Sequence, residues 1–237
     1  MRVARRSLIV ALSLACSVNT YASDFCAIAV SPGSEPRLAF MDVAVDPTFA
    51  GAIDVLFMVY REAGGVLAEF TVPIDANGFA STQSALGAAR NVFRLTGGAP
   101  ALVCARVPNA AGAAATLDVR SSDSRLHLGV PFAIKAGVSL AAGLTFPIAI
   151  GNVRAATLLI ANVTGTDVGV DVSLGTSSPA QGGGIYSTPR LVTGAIWRVD
   201  LTAADFNSFV VVRATDNIIV QVVTDTGRVF SYIPLPA

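Results

Sequence analysis

Val168, Val170, Val172 and Leu174 alternate with Gly169, Asp171 and Ser173, and no other feature constrains the chain as strongly. Successive side chains of a strand point to opposite faces, so this pattern builds a strand with one apolar face and one small or polar face. Leu158, Leu159 and Ile160 form a second strand candidate just before it, and Asn162 to Asp167 between them is rich in turn-forming residues. The unit reads as a β-hairpin.

Similar runs recur along the chain. In the first half they are Arg37 to Val45, Ile53 to Arg61, Val66 to Pro73, Phe79 to Thr82, Asn91 to Thr96, Leu102 to Val107 and Thr116 to Arg120, with turn signals at Glu62 to Gly65 and Asp75 to Gly78. The second half offers Thr157 to Ala161, Gly169 to Leu174, Ile196 to Leu201, Ser208 to Ala214, Ile218 to Thr224 and Val229 to Ile233. Short strands punctuated this regularly predict antiparallel sandwiches and not an α/β fold. Helix is confined to single turns at Thr202 to Asp205 and Ser81 to Ala89.

Leu38-Ala39-Phe40-Met41 precedes Thr157-Leu158-Leu159-Ile160 by 119 positions, and Val92 to Thr96 precedes Val211 to Thr215 by the same offset. A shared offset at two places suggests two copies of one β unit. The expected organisation is a signal peptide over 1–22, a β-sandwich over 23–128, a connector with an edge strand over 129–151 and a second β-sandwich over 152–237. The connector is apolar but broken by Pro131, Gly137, Gly143 and Pro147, so it holds no stretch long enough for a membrane helix.

Arg2, Arg5 and Arg6 precede an apolar run from Leu8 to Ala15, and Thr20-Tyr21-Ala22 ends in a residue suited to cleavage. These are the parts of an export leader. Cys16 after Leu14-Ala15 allows a lipoprotein reading, although Ser13 replaces the leucine usual three positions earlier. The chain has 16 basic and 16 acidic residues, and removing three leader arginines leaves 13 against 16. That mildly acidic balance argues against a nucleic-acid partner. Charged residues make up only 14% of the chain, which points to burial in an assembly. After the leader, Cys26 and Cys104 remain as a candidate disulfide for an oxidising compartment.

The Asn162-Val163-Thr164-Gly165-Thr166 turn, the Trp197-Arg198-Val199-Asp200-Leu201 strand and the Arg213-Ala214-Thr215-Asp216-Asn217 segment together resemble the immunoglobulin-like β-sandwich modules of bacterial exported proteins. The resemblance implies an all-β fold of two tandem antiparallel β-sandwich domains after a signal peptide. Two such modules are also similar in size and plan to periplasmic pilus chaperones. That likeness implies a basic cleft between domains, for which Lys135, Arg37 and Arg61 are candidates.

Catalytic signatures are sparse. His127 is the single histidine and alternates with Leu126 and Leu128, as an outward strand residue would. A histidine metal cluster is therefore excluded. There is no GxSxG, phosphate loop or HExxH, and Gly182-Gly183-Gly184 lacks the lysine and helix of a phosphate site. Paired aspartates occur as Asp42 and Asp46, Asp167 and Asp171, Asp200 and Asp205, and Asp216 and Asp225. Turn duty is their expected role, with a calcium site as the alternative. Among aromatics that could stack on sugars, Trp197 is in phase with Val199 and Leu201 and should face inward, Tyr60 is a candidate, and Tyr186 in a long loop is the best exposed one.

The expectation is a non-catalytic exported protein, structural or adhesive, at the periplasm, cell surface or outside the cell. It would work through a protein partner or self-association and without a cofactor. A carbohydrate- or ligand-binding module centred on Tyr186, with a glycan as partner, is the first alternative. A chaperone-like two-domain protein follows, and a secreted hydrolase stands last.

Overall fold

The computed structural model describes residues 21–30, 37–49, 53–82, 94–95, 99–108, 113–120, 125–127, 132–135, 155–175, 185–202, 209–225 and 229–232. Its strands are β1 (Tyr21–Ala29), β2 (Arg37–Ala44), β3 (Asp54–Tyr60), β4 (Val66–Pro73), β5 (Phe79–Ser81), β6 (Arg94–Leu95), β7 (Ala101–Pro108), β8 (Ala114–Arg120), β9 (Arg125–His127), β10 (Phe132–Lys135), β11 (Ala155–Asn162), β12 (Val168–Gly175), β13 (Ile185–Leu191), β14 (Ile196–Thr202), β15 (Phe209–Ala214), β16 (Ile218–Thr224) and β17 (Val229–Tyr232). Pairing between them is antiparallel throughout, so the protein is all-β as its alternation predicts.

Four sheets result. The first runs β10-β1-β7-β3-β4 and the second β5-β2-β8-β9, with β6 also on β2. The third runs β14-β11-β16-β17 and the fourth β13-β12-β15. Phe25, Val55, Phe57, Val103 and Val107 of the first sheet share a core with Met41, Val43 and Ala115 of the second. Leu158, Ile160, Leu201 and Val220 of the third share another with Val170, Val172 and Val212 of the fourth. A further apolar cluster joins the outer faces of the first and third sheets, so the layers stack in the order second, first, third, fourth.

This stacking explains the strands that are apolar on both faces. In β3, Val55, Phe57 and Val59 enter the first core, while Met58 turns toward the third sheet with Leu56 and Tyr60 packed beside it. In β11, Leu158 and Ile160 face one core, and Leu159 and Ala161 the junction. A strand covered on both sides has no need of polar alternation and reads as a continuous apolar run.

The expected hairpin is corrected. β11 pairs with β14 and β16, whereas β12 pairs with β13 and β15, so Asn162 to Asp167 carries the chain from one layer to the next. Asn162 is fully buried and holds that corner. Its Nδ2 donates to the Thr166 and Leu191 carbonyls at 2.8 and 2.7 Å, and its Oδ1 accepts the Thr164 amide and hydroxyl, both at 2.8 Å. The Arg213 to Asn217 segment also crosses layers, from β15 to β16. Of the segments related by the 119-residue offset, β2 lies in an outer sheet and β11 in an inner one, whereas β6 and β15 both lie in outer sheets. β10 adds to the edge of the first sheet beside β1. The helical turn among the described residues is Pro47–Phe49; 83–90 and 203–208, where turns were expected, lie outside them.

Candidate functional site

The junction between the first and third sheets gathers the most unusual chemistry. Cys26 on β1 and Cys104 on β7 face each other in register, with Cα atoms 4.1 Å apart, and form the disulfide. Alternation places both on the face opposite Phe25, Val103 and Ala105, so the sulfurs join Ile28, Met58, Leu102, Leu159, Ile196 and Ile219 in the junction. At its margin a cleft of about 50 Å³ is bordered by the disulfide, Met58, Tyr60, Arg106, Thr164 and Thr193. The Tyr60 hydroxyl lies 3.4 Å from Met58 Sδ and donates toward it.

That cleft has room for about one or two water molecules. Small-molecule sites are typically about 300–1,000 Å³, several times larger.

Tyr186 lies on strand β13 and not in a loop, opposite Val172, with 39% of its surface exposed. Trp197 is half-buried against the second core, as its phase with Val199 and Leu201 predicts. Tyr60 belongs to the junction cleft. His127 ends the outer-edge strand β9, in register with Asp118. Arg37 lies on β2 of the second sheet, Lys135 on β10 of the first, and Arg61 is exposed at the tip of the β3–β4 hairpin.

The aspartates work locally. Asp46 Oδ1 accepts the Thr48 amide at 2.9 Å and its hydroxyl at 2.8 Å, and the amide bond first, then the hydroxyl, holds the Asp46 carboxyl below its ordinary value. Asp75 accepts the amides of Asn77 and Phe79 at 2.8 and 2.9 Å. Asp42 accepts from Ser81, its register partner, and Asp167 pairs with Arg190. Asp200 accepts from Thr157 across β11 and β14 at 2.7 Å, and Asp216 from the Asn217 amide at 2.7 Å. Asp205 lies outside the described residues. Among the described residues no three His, Cys, Asp or Glu side chains cluster as metal ligands would.

Arg106 and Asn162 are the junction residues that patterning does not single out. Arg106 continues the alternation of Leu102 and Cys104 on β7, which is the signal that places it there. The chain matches no protein-family model, and neither a curated protein nor a solved structure is significantly similar to it. Among the described residues no helix is long and apolar enough to cross a membrane.

Proposed function

We propose that this is an exported, non-catalytic structural or adhesive protein of the cell envelope or surface, built as two tandem β-sandwich domains of immunoglobulin-like type. The observation that carries the reading is the junction. The two inner sheets bury their spare apolar faces on each other, which holds the two sheet pairs together as one four-layer body. The leader-like N-terminus and the Cys26–Cys104 disulfide suit an oxidising compartment outside the cytoplasm. Exposed Val66 and Leu67 on edge strand β4, and Phe79 on β5, supply apolar surface for a protein partner or a second copy. Sedimentation velocity of the mature protein across a dilution series, with calcium and with chelator, tests this. Concentration-dependent species larger than the monomer, insensitive to calcium, are expected. A strict monomer at every concentration would remove self-association from the proposal.

The exposure of Tyr186 favours glycan binding as the second reading. A glycan array on the parent protein and Tyr186→Ala decides it, since binding that survives the substitution would exclude Tyr186.

A further inference from the structure

Two turns meet at one end of the junction. The tip of the β3–β4 hairpin is set by its own bonds, Gly64 N to the Arg61 carbonyl at 2.9 Å and Arg61 N to the Gly65 carbonyl at 3.2 Å. The turn between β13 and β14 closes on its own bond from Ala195 N to the Val192 carbonyl and is tied to the end of β11 by Gly194 N donating to the Asn162 carbonyl, both at 3.0 Å. Each turn is thus formed independently of the other, and the main chains then bond directly, Ile196 N donating to the Glu62 carbonyl at 2.8 Å.

The fit between them is reciprocal. A Cβ on Gly194 would lie 2.2 Å from Tyr60 Cδ1, and a Cβ on Gly64 would lie 2.8 Å from Val192 Cγ2. Each turn therefore offers a bare backbone to a side chain associated with the other. Both glycines also hold positive φ, +76° at Gly194 and +87° at Gly64, where an L side chain is strained. Close approach and backbone angle demand glycine separately at the same two positions.

We infer that these turns form a latch that fixes the angle between the two sheet pairs, with Tyr60 seated on Gly194 and Val192 on Gly64. The buried junction supplies adhesion, which resists separation but permits sliding. A keyed contact with a main-chain hydrogen bond specifies one orientation. The latch makes one mechanical body of two halves whether or not the protein assembles.

The test is pulsed EPR on the full mature chain, spin-labelled at Glu69→Cys and Asp171→Cys, exposed positions on the two sheet pairs. The parent and Gly165→Ala, whose added Cβ meets nothing within 4 Å, should each give one narrow distance population. Gly194→Val should lose that single population while its circular dichroism stays β-rich. If Gly194→Val does not fold, Tyr60→Ala, which removes the seated ring, decides the matter with the same expected loss. A broad distribution in the parent, or a parent-like narrow one in whichever variants fold, overturns the latch.

Discussion

Leu158 and Leu159 are neighbours on β11 that point to opposite faces, and their truncation separates a buried junction from an exposed sheet. Leu158 is 0% exposed in the core between the third and fourth sheets, and Leu159 is 2% exposed in the cluster against the first sheet. Leu→Ala removes three carbons, and at about 0.8 kcal/mol per buried carbon the transfer loss is ~2.4 kcal/mol. The unrelaxed cavity raises this to roughly 2.7–5 kcal/mol at well-packed sites. Both Leu158→Ala and Leu159→Ala should therefore cost about 3 kcal/mol, read as a shifted urea midpoint at constant slope in the oxidised protein. In calorimetry the same loss lowers Tm by roughly 6–12 °C for a chain of this size. Were the outer face of the third sheet in water, Leu159→Ala would stay within about 0.5 kcal/mol, as surface changes do. A cost near 3 for Leu158→Ala with a cost below ~0.5 for Leu159→Ala would refute the stacking.

Other consequences are as specific. Replacing Cys26 and Cys104 by serine opens a loop of 78 residues and should cost about 4.5 kcal/mol in the chain-entropy model, measured by urea unfolding; a loss under ~1 kcal/mol contradicts that account. Asn162→Ala strips donors from two carbonyls and an acceptor from the Thr164 amide, and should destabilise by about 3 kcal/mol, with full stability refuting the corner's role. Asp46 should titrate below 3.8 by carboxyl NMR. Because its folded pKa is depressed, whatever stability it contributes is present above the unfolded value and lost as pH falls through the folded one. An Asp46 midpoint at or above 3.8 would show that the Thr48 contacts do not form.

Strand positions were legible because alternation is local. Val66–Pro73 matches its expected bounds, and most of the others fall within a residue or two. Three elements escaped for identifiable reasons. β1 adjoins the apolar leader and is itself apolar on both faces at Phe25 to Val30, so it lacks period-2 contrast. β13 carries Pro189 and follows a glycine run, both signals of a loop, yet it pairs along β12. β9, signalled only by the alternation of His127 with Leu126 and Leu128, is three residues long, and that signal sets no bounds. Beyond the β3–β4 pair joined by the Glu62 to Gly65 turn, which strand pairs with which was not legible. Asn162 to Asp167 has the composition of a hairpin turn, and only the buried Asn162 side chain, held by a carbonyl at Leu191, turns it into a crossing between layers. The disulfide was legible from cysteine arithmetic, but its place in the junction depends on β1 pairing with β7. As for the site, Tyr60 and Tyr186 were visible as aromatics, whereas the fit of Gly194 against Tyr60 joins residues more than a hundred positions apart.

Small-angle scattering of the disulfide-bonded mature chain tests the four-layer stack most directly. A single compact body of this length has a radius of gyration of about 17 Å by the scaling of folded chains, and the closed junction predicts a value within roughly 2 Å of that. A radius above about 22 Å in a monodisperse monomer, as for two sheet pairs swinging on a connector, would contradict the buried junction.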